Sequence, residues 1–319
     1  MTNFEQKVGV RGRFMVEVIR ADGTIDEVAP WQDNLVTDTG LGLFHGGGGC
    51  NLQNLHVGTG STAPQFTDVI LEGRVASIGI SGVSYTSVVG AESYKKYSWV
   101  STFAEGAVVG NIAELGVGAT ASAKYLFSRT LIKDVDGVPT VLTILSNEQL
   151  RVTYAIYLYV SSTPVETEVD INGTLHTFST LPVYFGAWTP GQWYGFGTMT
   201  PNTIWSNNIY TPIAHGAYAF PYALQSISGN TKPSSSYSVS DVVRYVTPSN
   251  NATEWKITFG LTGANYGGGI GGFTYGTMQT TINQGSFNVW YFQTSVTPAI
   301  MKDNTKSFSA TVRISTERY

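Results

Sequence analysis

Cysteine is almost missing from this chain. Its 319 residues include one, Cys50, so no intrachain disulfide can staple the fold. Cys50 reads as a small residue beside a Gly-rich turn. Charge is scarce as well. Asp, Glu, Lys and Arg make up 13% of the residues, about half of the ~25% usual in soluble domains. The net charge of −4 gives no basic footprint, so no nucleic-acid partner is expected. No apolar run approaches the ~20 residues of a membrane span, and the opening MTNFEQKVGVRGRF has no apolar signal core. These absences predict a chain made in a cytoplasm without membrane insertion, which works outside a cell only as part of a particle.

Signatures of catalysis are missing too. There is no G-x-S-x-G elbow, no H-E-x-x-H helix and no EF-hand loop. The four histidines, His45, His56, His176 and His215, stand at no metal-ligand spacing. Gly46 to Gly49 could cradle an anion in backbone N–H groups, but the Lys-Ser/Thr of a P-loop is absent. Glu166, Glu168 and Asp170 alternate along one strand face. Sugar hydrolysis needs a second carboxylate across the scissile bond, and nothing in the sequence places an acidic strand opposite them. The expectation is a protein that is not an enzyme, with no catalytic residue, metal or cofactor.

What remains is β-sheet. Hydrophobic residues make up 42% of the chain, enough for a real core, and they alternate. From Glu148 to Val160, Leu150, Val152, Tyr154, Ile156, Leu158 and Val160 fall on one face. Arg151, Thr153, Ala155, Tyr157 and Tyr159 fall on the other. Period two with β-branched and aromatic residues is the strand signature, and such a strand spans about 40 Å at ~3.3 Å per residue. Lys124 to Ile132 and Val141 to Leu145 precede it, with a turn at Asp136-Gly137, which predicts a three-stranded meander. Gly12 to Val28 predicts a hairpin, its Asp22-Gly23 suited to a type I′ turn. Trp31 to Phe44 suits a short amphipathic helix capped by Thr37 or Asp38, and a second short helix, capped by Thr67 or Asp68, is expected over Val69 to Val75. Strands are expected at Leu52 to Val57, Ser81 to Gly90, Tyr97 to Ala104 and Val108 to Val117, and a further hairpin turn at Val169 to Thr174. Trp99 to Phe103 is echoed by Trp255 to Phe259, and the segments that follow each keep the same order.

The fold class predicted is all-β: two sandwich-like β units with long loops and few short helices. The divisions are an N-terminal hairpin and attachment segment at 1–38, a sandwich-like domain at 39–160, and a second β domain at 161–319 with a long loop insertion at 161–250. Within that insertion Trp188, Trp193, Tyr194, Phe196, Trp205 and Tyr210 lie among Asn202, Asn207 and Asn208. Aromatic faces stack on sugar rings and amides bond hydroxyls; aromatics are equally enriched at subunit interfaces. Trp188, Trp193, Tyr194, Trp205 and Tyr210 are therefore the candidate glycan or partner contacts, with both readings open.

Three words in order resemble the tail-fibre and tail-appendage proteins of tailed bacteriophages: WQDNLVTDTGL (Trp31 to Leu41), LHVGTGSTAPQFTD (Leu55 to Asp68) and NIAELGVG…YLFSRTLIKDVDGVPTVLTILSNEQLRVTY (Asn111 to Tyr154). The resemblance covers roughly residues 10–160. It implies a virion structural protein of the tail, made in the host bacterial cytoplasm, that serves particle assembly and host attachment. The partners implied are other virion tail proteins and further copies of the chain, as a trimer or a six-fold ring. The alternatives are a receptor-binding module for host surface polysaccharide and a polysaccharide depolymerase. The resemblance carries no catalytic residues.

Overall fold

A computed structural model describes residues 2–44, 50–88, 92–119, 125–161, 163–183, 218–220, 237–238, 241–246, 251–261, 269–282 and 285–319. Within them the chain is all-β with one short helix. The first strands are β1 (Thr2–Ile19) and β2 (Ile25–Val36), followed by the helix α1 (Asp38–Gly42). Next come β3 (Cys50–Leu52), β4 (Asn54–Gly58), β5 (Arg74–Gly79), β6 (Ser84–Val88), β7 (Ser93–Thr102), β8 (Gly110–Ile112) and β9 (Glu114–Gly118). The middle of the chain gives β10 (Leu126–Leu131), β11 (Leu142–Ile144), β12 (Gln149–Val160), β13 (Val165–Ile171) and β14 (Thr174–Val183). The last third gives β15 (Tyr218–Phe220), β16 (Tyr237–Ser238), β17 (Asp241–Val246), β18 (Ala252–Phe259), β19 (Ile270–Ile282), β20 (Gly285–Ile300) and β21 (Phe308–Arg318).

The long β1 organises the large sheet. One of its edges pairs with β12 over Val8 to Ile19, and β12 leads on to β7 and β6. The other edge is shared. Thr2 to Val10 pair in parallel with β21, and Gly12 to Ile19 pair with β2. Beyond β21 lie β18 and β17. At Leu35 and Val36, β2 leaves β1 and pairs with β10, which continues through β9 and β4 to β5. The sheet thus curls over itself. Tyr154 of β12 reaches Ser128 of β10 at 2.6 Å between hydroxyl oxygens, and Asn34 of β2 donates to the same Tyr154 hydroxyl. A second sheet is built from β13, β14, β20, β19, β15 and β16, with β3 joined in parallel to β19.

The alternation of β12 holds: Leu150, Val152, Tyr154, Ile156, Leu158 and Val160 are all buried. They meet Leu115, Val117 and Phe127 of the opposite layer in one core, with Trp99 stacked on Tyr154 at 4.9 Å. The predicted meander does not form. β10, β11 and β12 pair with other strands and not with one another. An apolar face on both β10 and β12 is better covered from opposite layers than side by side, so the chain crosses over between them.

Local sequence signals and local structure agree only in part. The helix begins where Thr37 caps it, its Oγ1 accepting from Gly40 N at 2.8 Å, but Trp31 to Val36 remain strand. The first hairpin closes through three residues, with Gly23 N donating to Arg20 O and Arg20 N to Thr24 O. Of these only Gly23 has positive φ, at 85°, so the turn is type I with a left-handed glycine, not type I′. Asn172 and Gly173 do carry the paired positive φ of a type I′ turn, at 54° and 81°, between β13 and β14. No helix forms over Val69 to Val75. Asp68 accepts from Gln65 N and from Arg129 instead of capping a following turn, and β5 starts at Arg74. The echoed segments become β7 and β18. Each pairs with a strand flanking β1, β12 on one edge and β21 on the other, and these two run in opposite directions, as a local two-fold would place them.

Candidate functional site

Trp188, Trp193, Tyr194, Trp205 and Tyr210 lie outside the described residues, as do His45, His215 and Gly46 to Gly49. His56 is buried with Nδ1 2.7 Å from Ser77 Oγ, and His176 is buried with Nδ1 2.6 Å from the Pro298 carbonyl. Glu166, Glu168 and Asp170 are exposed on β13 and face Ser179, Thr177 and Leu175 of β14. That register supplies no second carboxylate. Among the described residues no group of three His, Cys, Asp or Glu is placed to hold a metal ion.

Two of the arginine clusters bear on a site. The first is buried. Glu114 sits on the outer face of β9 with no exposure, and Arg129 beside it on β10 is 3% exposed. Arg129 Nε donates to Glu114 Oε2 at 2.8 Å, Nη1 to Asp68 at 2.8 Å, and Nη2 to the Thr62 carbonyl at 3.1 Å. The other Glu114 oxygen accepts from Gly60 N at 3.1 Å and Gly73 N at 2.7 Å. Burial works against the Arg129 charge, but bonds to Asp68 and Glu114 outweigh it and keep its pKa raised. The glycines of VGTG are explained here. A Cβ on Gly60 would stand 2.4 Å from Glu114 Oε1, and one on Gly58 would stand 2.7 Å from the same atom. With its hydrogen bonds met inside the protein, the cluster shapes the 59–73 loop and offers nothing to a ligand.

The second cluster stands where the two neighbours of β1 part. Strand β21 pairs as far as Val10↔Arg318, and β2 starts at Gly12↔Asn34. Two strands leaving one edge in opposite senses open a crevice of about 500 Å³ at the fork. Arg11 grips Asp33 with two bonds of 2.9 and 2.8 Å, and Arg13 approaches the same carboxylate at 3.2 Å. The hydrogen bond from Arg11 holds Asp33 below the usual carboxylate range. Arg318 donates to the Val36 carbonyl at 2.7 Å, pairs with Asp38, and lies 3.9 Å over the Phe66 ring, which remains 51% exposed. Tyr319 stacks on Tyr159 at 3.7 Å and stays 57% exposed. Gly9 makes that stack fit, since a Cβ there would lie 2.8 Å from Tyr319.

The crevice opens beside an aromatic face on the same layer. Tyr94 lies opposite Tyr159, and Lys96 opposite Tyr157, which faces Arg11 in turn. Tyr94 packs on Tyr157 and Tyr159 at 5.5 and 5.3 Å, and Lys96 covers both Tyr157 and Trp31 at 5.6 Å. Ala155 points to this side and is fully buried beneath these side chains. The cross-strand geometry of Arg13 and Asp33 was within reach of the hairpin pattern. Phe66, Arg318 and Tyr319 come from distant parts of the chain, and no local signal joins them.

No family model, no curated protein and no solved structure matches the chain.

Proposed function

We propose that the chain is a structural component of a bacteriophage tail, a fibre, appendage or tail-surrounding part, which assembles with other virion proteins and further copies of itself. Its role is non-catalytic. The observation that carries this reading is where the three resembling words lie. Thr37 of the first bonds the Leu126 carbonyl of the third, and Gly40 packs against the Phe127 carbonyl, where a Cβ would stand 2.1 Å away. Gly58, Gly60 and Asp68 of the second surround Glu114 and Arg129 of the third. Three separate stretches that close around one cap and one ion cluster make a single physical unit, so a shared pattern there reflects a shared framework.

The test is antibody labelling of purified particles in the electron microscope. Regular labelling at the tail is expected, with multiples of three copies per particle. Absence of the protein from purified, infectious particles would sink the reading. A second role, attachment to host surface polysaccharide, is favoured by one feature: half-exposed aromatic rings beside fixed polar groups at the fork. Loss of adsorption with intact particles would follow from blocking that face.

A further inference from the structure

The fork crevice and the adjoining aromatic face share Arg11, Asp33 and Tyr319, and nothing in the framework requires them to be displayed. Phe66 is held under Arg318, and Tyr319 is held by its stack on Tyr159 and by its hydroxyl, which donates to Glu92 Oε1 at 2.8 Å; each ring remains about half exposed. Large apolar rings held rigid and half wet lower the ordering cost of binding, since little side-chain freedom is left to lose. Between them stand planar polar groups held by one another: the Arg11–Asp33 pair, and Arg318 tied to the Val36 carbonyl and Asp38. Fixed carboxylate and guanidinium groups present donors and acceptors side by side, which suits pairs of neighbouring hydroxyls. Charge narrows the choice. The guanidinium of Arg11 is bound to Asp33 and that of Arg318 to Asp38, so both described cations that line the crevice are already engaged by carboxylates, and the cation of the adjoining face, Lys96, lies over Trp31 and Tyr157. A strongly anionic ligand would have to break these pairs.

From this geometry we infer that the fork between β2 and β21 is a carbohydrate site, whose ligand is a neutral, hydroxyl-rich oligosaccharide chain. One sugar ring packs on Phe66 or Tyr319, and its hydroxyls bond the Asp33 carboxylate and the Arg11 guanidinium. The aromatic face of Trp31, Tyr94 and Tyr157 extends the site along the same layer. The inference deepens the attachment role proposed above and rests on it for its biology, but its chemistry is tested separately from the chain's place in a particle.

The experiment is calorimetric titration of the full chain with two sets of hexasaccharides. The neutral set is maltohexaose, cellohexaose, mannohexaose and a β-galactan hexamer; the acidic set is hexagalacturonate and a heparin hexasaccharide. Binding is expected from at least one neutral member, little changed between low and high salt. Phe66→Ala should weaken it about tenfold, the loss of roughly one ring contact. Asp33→Asn should weaken it at least as much, and Val100→Ser, on an exposed position away from the fork, should not. Circular dichroism and melting of each variant identify any that fails to fold, and Phe66→Ala, a half-exposed site, keeps the test alive if Asp33→Asn does. Three results would overturn the inference: no binding by either set, binding only by the acidic set with a steep salt dependence, or neutral binding that neither variant alters. None of these bears on whether the protein labels tails, so each reading can fail alone.

Discussion

Arg129 and Arg318 are both strand arginines, each paired with a carboxylate from outside the sheet, Asp68 and Asp38. They do opposite things. Arg129 is enclosed, and its donors end on Glu114, Asp68, Glu72 and the Thr62 carbonyl. Arg318 is about a third exposed, and beside it an aromatic ring and a crevice stay open. The difference is what surrounds the ion pair. A pair closed off from water costs desolvation on both sides and is retained where its hydrogen bonds fix a shape. A pair at the rim of a crevice costs little and contributes little to stability, so its geometry is available for recognition. The enclosed cluster shapes the loop that carries Phe66, and thereby positions a ring for the open one.

Substitutions should separate the two. The largest effect is expected from Arg129→Ala, which strands Glu114 as a buried charge and should cost about 3–5 kcal/mol, read by urea unfolding. If it costs no more than a surface pair, the cluster is not enclosed in solution. Gly60→Ala comes next. Its Cβ would stand 2.4 Å from Glu114 Oε1, and displacing that carboxylate should cost about 1–3 kcal/mol, with the loss reduced in a Glu114→Gln background. Arg11→Ala removes the bidentate pair at the fork and should change stability by about 1 kcal/mol or less. A loss as large as that of Arg129→Ala would erase the contrast.

The smallest effect is in pH. Asp33 has its folded pKa lowered by the hydrogen bond from Arg11. Its contribution is therefore fully present above the unfolded value of about 4 and is lost as pH falls through the lower folded value. Sugar binding and the fork's share of stability should hold from neutral pH down to about pH 4 and decline only below it. Asp33→Asn should remove that acid limb. A limb near pH 6 would assign the titration to another group.

Much of the framework was legible because its signals are local. The period of β12, the Thr37 cap and the Asn172-Gly173 turn each follow from a few neighbouring residues. The pairing of β10 and β12 with other partners was not legible, since two apolar strands in succession look alike whether they share a sheet or face each other across a core. Asp68 read as a helix cap because a capping carboxylate and an arginine partner look the same in sequence. The fork was invisible for a related reason: Phe66 and Arg318 are brought together only by β21 pairing in parallel with β1, and parallel pairing leaves no hairpin signature. The aromatic stretch at 188–210 is conspicuous in composition, whereas the described aromatic face is scattered over five stretches of chain.

If recognition sits at the open cluster and shape at the enclosed one, amide hydrogen exchange of the full chain, with and without the hexasaccharide that binds, will separate the two. Slowed exchange is expected at 33–36, 66–70 and 317–319, with 111–116 unchanged. Slowing confined to 188–210, with the fork unaltered, would place recognition elsewhere and overturn the division.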